Sequence, residues 1–182
     1  MRLCHSATSF PLVASMHVPE NDREWMIRSH PVRNEVREVL IHGPQVDSFR
    51  EYFSSPEMFY AQGWPDDPGN WPIFAGRMLL PLWERHEKLF ALDLSGSGEV
   101  IAFYVECPDE YERLGNIDVA LLEGISFHVI ECDRDPEDAL IFAESIALPH
   151  LDRLREALRG PEERMKERLD SYSHFLETGD FT

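Results

Sequence analysis

Eight histidines are the first side chains whose chemistry calls for a test: His5, His17, His30, His42, His86, His128, His150 and His174. A zinc site needs several ligands converging from suitable spacings. The nearest mixed group is His128, Glu131, Cys132 and Asp133. The segment Phe127–Cys132 reads as a strand, which puts His128 and Cys132 on one face about 13 Å apart at ~3.3 Å per residue. One ion cannot span that gap; helical geometry would bring the two together, but the surrounding sequence favours a strand, so no metal is expected. Nucleophilic catalysis lacks a signature too. There is no Gly-x-Ser-x-Gly elbow, and no cysteine sits in a glycine-rich or basic setting that would favour its thiolate. Ser95-Gly96-Ser97-Gly98 lacks the following lysine of a phosphate-binding loop and reads as a hairpin turn. Carboxylate pairs such as Asp66/Asp67, Asp109/Glu110 and Asp133/Asp135 recur among 34 acidic residues. They fall in wet loops, where nothing shifts a carboxyl into the range that acid–base work needs. The chain is expected to be no enzyme and to hold no cofactor.

The elements that would position any site centre on Met78 to Glu106. Phe90, Leu92 and Leu94 alternate with Leu89, Ala91 and Asp93, a period of two. The two glycines of the turn that follows accept positive φ without a Cβ clash. Val100 to Val105 returns as a strand rich in β-branched and aromatic residues. Two or three short strands therefore form an antiparallel core. Asp93 is the odd residue among apolar neighbours. It is expected to accept backbone N–H groups of the turn, with a contact to a partner as the alternative. Ile73–Leu82 is expected to hold a strand or two around Gly76, with Pro81-Leu82-Trp83 at an edge.

Helical spacing dominates elsewhere. Trp25, Met26 and Ile27 form a patch ended by Pro31, and Val32, Val36, Val39 and Leu40 run to Gly43-Pro44. Val46, Phe49, Tyr52 and Phe53 make another apolar stripe. Pro108–Glu112 reads as an acidic loop or helical turn, and Asn116–Ile125 as a short helix. Asp135-Pro136-Glu137-Asp138 is a helix start, with proline in the first turn and acids at the positive dipole end. That helix runs to about Ala147. A helix over His150–Leu158 and another after Pro161 complete the chain, the last with Met165, Leu169, Tyr172 and Leu176 in register. Between Glu57 and Trp71, the turn Pro65–Gly69 is flanked by Trp64 and Trp71. A rigid loop of this kind is a local mini-core or a recognition surface.

Composition bounds the rest. A length of 182 residues with 43% hydrophobic content suits one packed domain. The boundaries expected are 1–20 as an N-terminal extension, 21–150 as the α+β domain, and 151–182 as a C-terminal helical segment packed on it. Polar residues interrupt the first 18 positions, which argues against a secretory leader. No apolar run reaches the ~20 residues a membrane helix needs. The three cysteines are odd in number and widely spaced. That is no disulfide framework, and Cys107 and Cys132 are expected as buried free thiols in a reducing cytoplasm. The net charge is −17, and Glu99–Asp152 alone holds fourteen acidic residues against Arg113 and Arg134. A nucleic-acid binder needs the opposite sign. This balance suits a soluble protein, or one that draws in a basic partner.

The order Leu79-Leu80-Pro81-Leu82, then Phe90-Ala91-Leu92-Asp93-Leu94, the Ser-Gly-Ser-Gly turn, Glu99-Val100-Ile101, Glu106 and the helix Ile117–Leu122 resembles the SUKH superfamily. The helix Glu137–Ala147 fits the family's tail. That superfamily includes fungal cell-wall assembly regulators and bacterial toxin-immunity proteins. The resemblance implies an α+β domain, a central and mostly antiparallel sheet flanked by helices. It also implies a non-catalytic module that neutralises a toxin, often a nuclease, by direct association. The candidate partner-binding residues are Trp64, Asp66, Asp67, Trp71, Trp83, Asp93, Glu106, Asp109, Glu110 and Glu112. Trp64, Trp71 and Trp83 are the candidate anchors, with a place in the core as the commoner alternative for each. Two alternatives stand beside this reading. One is a regulatory scaffold without a toxin partner, dimerising through Met165, Leu169, Tyr172 and Leu176. The other is an enzyme with a pocket near Asp93 or His128.

Overall fold

The computed structural model describes residues 17–62, 72–96, 98–159 and 161–180. Helices α1 (Glu20–Ser29), α2 (Asn34–His42) and α3 (Glu57–Ala61) precede the sheet, with a 3₁₀ turn at Asp47–Tyr52 between α2 and α3. Acids Glu20 and Asp22 open α1 and Arg28 closes it, each matched to the helix dipole. Gly43, at φ 78°, ends α2 where the Gly-Pro pair predicts.

The strands β1 (Leu79–Arg85), β2 (Lys88–Asp93), β3 (Val100–Tyr104) and β4 (Cys107–Gly115) form one antiparallel meander, in the order β1-β2-β3-β4. The alternation read from the sequence divides β2 as expected, and both faces are covered. Phe90 and Leu92 join Leu80, Val100 and Ala102 in the main core. Leu89 and Ala91 join Leu79, Ile101 and Phe103 in a second core beneath Phe59 of α3 and Ile73–Phe74. A register shift between Pro81 and Trp83 turns Leu82 and Trp83 toward the same core.

On the main face lie α4 (Ile117–Ser126), a π-helical turn at Phe127–Glu131, α5 (Pro136–Ser145), α6 (Leu151–Arg159) and, after a 3₁₀ turn at Glu162–Arg164, α7 (Met165–Thr178). Asn116 caps α4 by accepting from the N–H groups of Asp118 and Val119 at 2.9 and 3.1 Å. Asp135 caps α5 through Glu137 N–H at 2.9 Å. Gly124 lets α4 approach the residue that closes the 3₁₀ turn: a Cβ there would lie 2.5 Å from the Phe53 ring. The architecture is α+β, a central antiparallel sheet flanked by helices.

Four expectations change. Ile73–Leu82 is strand only from Leu79 onward, and Pro72–Gly76 forms turns. Pro108–Glu112 is neither loop nor helical turn but part of β4. Acidic residues are poor strand formers in general. They are tolerated here because β4 is an edge whose side chains reach water, with Glu112 paired to Lys88 at 2.9 Å. Phe127–Cys132 is not a strand. It continues α4 as a wider turn, with Cys132 N–H bonded to Phe127 O at 3.1 Å. No stop signal separates it from α4, and the widening turns His128 and Val129 inward. The thiols are also less buried than expected: Cys107 is exposed at the start of the edge strand and Cys132 is half-buried.

The end of α5 yields a stability prediction. Leu148 N–H bonds to Ala143 O at 2.9 Å and Ala147 N–H to Glu144 O at 3.0 Å, a Schellman closure. It places exposed Ala147 at φ 49°, where a Cβ is unfavourable. Ala147→Gly is expected to raise the unfolding free energy by about 0.5–1 kcal/mol. A urea midpoint equal to or below that of the parent would contradict this.

The stripe Met165, Leu169 and Tyr172 is buried in the chain itself, where α7 packs on α4 and α6. Tyr172 OH donates to Pro149 O. The dimer seam expected along this helix is therefore corrected: its apolar side chains already have their neighbours, and Leu176 packs beside them.

Candidate protein-interaction surface

Four of the five acidic candidates that the structure describes, Glu106, Asp109, Glu110 and Glu112, fall at one end of the sheet, around the β3–β4 hairpin. Tyr104 pairs with Cys107, and Phe103 with Tyr111. The ladder therefore leaves Pro108, Asp109 and Glu110 as a bulge. Pro108 is buried and pins the bulge, while Asp109 and Glu110 are exposed. Glu106 and Glu112 are exposed on either side. Glu106, Asp109 and Glu110 have no ion partner among the described residues. Tyr104 stands among them at 49% exposure. Sequence reasoning missed this tyrosine. It follows Ala102 on the same face of β3 but lies past the end of the core, a distinction that alternation alone does not draw.

Two of the cations flanking this hairpin, Arg85 and Lys88, are turned inward. Arg85 is 5% exposed and grips Glu123 with two bonds of 2.7 Å, its guanidinium 3.9 Å from the centre of the Phe127 ring. Lys88, 8% exposed, reaches Glu112 at 2.9 Å and Glu123 at 3.9 Å. The planar fork of Arg matches a carboxylate bidentately, which suits it to the more buried of the two positions. Arg113 is exposed but paired with Glu99 at 3.3 Å. With these charges committed, the outward field of the hairpin is negative.

Other candidates lie elsewhere. Trp83 is corrected from partner anchor to core. It is 2% exposed, with Phe90 stacked on it at 5.0 Å and Phe53 at 5.2 Å. The β1 register shift rotates it inward, which no local pattern announces. Asp93 caps its own turn as expected: its carboxylate accepts Ser95 N–H at 2.9 Å and pairs with Arg77 at 3.4 Å. It sits at the opposite end of β2 from Lys88, about 17 Å away at ~3.4 Å per residue. Trp64, Asp66, Asp67 and Trp71 lie outside the described residues.

His128 is fully buried on the π turn. Phe49 lies 4.1 Å from it, ring to ring, and Tyr52 meets it edge-on at 5.2 Å. Neither ring nitrogen has a hydrogen-bond partner. Burial holds its pKa below the usual histidine value. Among the described residues, no three His, Cys, Asp or Glu side chains converge to hold an ion. No described helix is long and apolar enough to cross a membrane.

The arrangement can attract and hold a cationic surface: exposed carboxylates with an amphipathic tyrosine between them, on a rigid sheet end. The chain matches no family model, no curated protein and no solved structure.

Proposed function

We propose that this protein is a non-catalytic binding module of the SUKH immunity type, which neutralises a basic protein such as a nuclease toxin domain by direct association. One observation carries the reading. Arg85 and Lys88 at the sheet end are buried and paired, while Glu106, Asp109 and Glu110 project unpaired around exposed Tyr104. The negative field steers the encounter, and the tyrosine supplies desolvated contact area once docked. The order of the strand and turn motifs, with its resemblance to that superfamily, supports the same reading. Its setting is a reducing cytoplasm, where exposed Cys107 stays a free thiol.

The test is co-expression with the product of the adjacent reading frame, which is expected to carry a cationic toxin domain. The parent protein is expected to restore growth and to co-purify with that domain. The triple variant Glu106→Lys/Asp109→Lys/Glu110→Lys is expected to lose protection while keeping its melting temperature. Full protection by the triple variant would sink the proposal, as would a parent protein that neither protects nor co-purifies.

A further inference from the structure

The two edges of the sheet are treated differently. The β1 edge is closed by three separate parts of the chain. Val18 N–H bonds to Leu79 O at 2.8 Å. Ser54 exchanges backbone bonds with Glu84 at 3.0 and 3.1 Å. Between these, the Arg23 side chain donates to Pro81 O at 2.9 Å and to Leu82 O. On β4, by contrast, the backbone bonds only to β3 among the described residues. A row of N–H and C=O groups left open in this way is a template for another strand.

We propose that the open edge of β4 is where the partner docks, by adding a cationic extended segment as a fifth strand. This rests on the acidic-module reading above and specifies how that surface is used. Main-chain bonds to β4 would supply affinity, and side chains at every second position would supply selectivity. Charge decides the occupant. Glu110 and Glu112 stand at alternate positions of β4 and are exposed, as is Asp109. Arg113, on the opposite face, is paired with Glu99. An incoming strand with Lys or Arg at alternate positions meets, on one face of the sheet, the unpaired Glu110 and the Glu112 carboxylate, which stays 61% exposed while bonded to Lys88. A second copy of this chain would instead set Asp109, Glu110 and Glu112 against their own kind, which opposes edge-to-edge pairing. The acidic edge thus admits a basic strand while blocking self-association.

Two synthetic peptides test this. One is a short peptide alternating Lys and Thr. The other has the same sequence with alternate amides N-methylated, which keeps the charge and removes donors on one edge. The full-length protein is titrated with each at low salt, and backbone amide exchange is followed by NMR. The unmodified peptide is expected to bind and to slow exchange at Tyr111–Leu114, with the methylated peptide bound at least about tenfold more weakly. Equal binding by both would overturn strand addition while leaving the acidic-surface reading intact. Protection confined to other elements would overturn it as well. So would dimers of the free protein in light scattering with amide exchange at Tyr111–Leu114 slowed as protein concentration rises, because a second copy would then be the occupant. Binding by neither peptide would overturn the edge proposal and count against the acidic surface too.

Discussion

Trp83→Ala is expected to lower the unfolding free energy by about 3–5 kcal/mol, the usual cost of emptying a large aromatic site in a packed core. The indole is 2% exposed, lies 5.0 Å from Phe90 and 5.2 Å from Phe53, and belongs to the cluster that joins the sheet to α4 and α5. Phe53 in turn lies against Phe142 of α5 at 4.9 Å and against Gly124 of α4. Little there can collapse into the vacated volume without moving a helix. A loss of this size is a large share of the ~5–15 kcal/mol that holds a domain folded. Urea unfolding followed by circular dichroism measures it. A midpoint near the parent's, with partner binding weakened instead, would return Trp83 to the surface role first considered for it.

Acidification is the second large effect, and it acts through His128. The unfolded chain takes up a proton near the ordinary histidine value of 6.5, whereas burial holds the folded imidazole's pKa lower. Desolvation is the main cause, helped by the Arg134 guanidinium and partly opposed by Asp138, Glu51 and Asp135. Tyr52 and Phe49 face the ring and offer it no hydrogen bond. Below pH 6.5 the unfolded state therefore binds more protons than the folded one. This contribution to stability is complete at higher pH and shrinks as pH falls toward the folded value. His17 and His30 are also lowered by burial, so the informative quantity is a difference between variants. His128→Phe is expected to flatten the fall in urea midpoint between about pH 7.5 and about pH 5.5. A variant curve parallel to the parent's would show that His128 is not the proton acceptor.

Much of the architecture was legible because period-two and helical patterns report burial directly. Phe90/Leu92 against Leu89/Ala91, the Asp135 cap and the Gly43 stop all belong to this kind. Asp93 was legible for the same reason, since an Asx turn is local. What escaped depends on tertiary context. Cys107–Gly115 carries acids that oppose strand formation, and only its place at the sheet edge makes them acceptable. The π turn at Phe127–Glu131 looks like a strand because its apolar residues are contiguous, yet it inherits its conformation from α4. Tyr104 was missed, and Trp83 was counted among the candidate anchors, for a similar reason. A strand end outruns the core at one, and a register shift rotates the other inward. The helix stripe ending in Tyr172 was correctly apolar, but periodicity does not say whether a neighbour comes from the same chain or another.

The central claim is attraction between the β3–β4 end and a cationic protein. Stopped-flow association with the cationic toxin domain expected in the adjacent reading frame, across a range of ionic strength, tests it most directly. The account predicts an association rate that falls steeply with added salt, and a much flatter dependence for Glu106→Lys/Asp109→Lys/Glu110→Lys at unchanged thermal stability. A rate indifferent to salt, or one that the charge reversal leaves untouched, would contradict it.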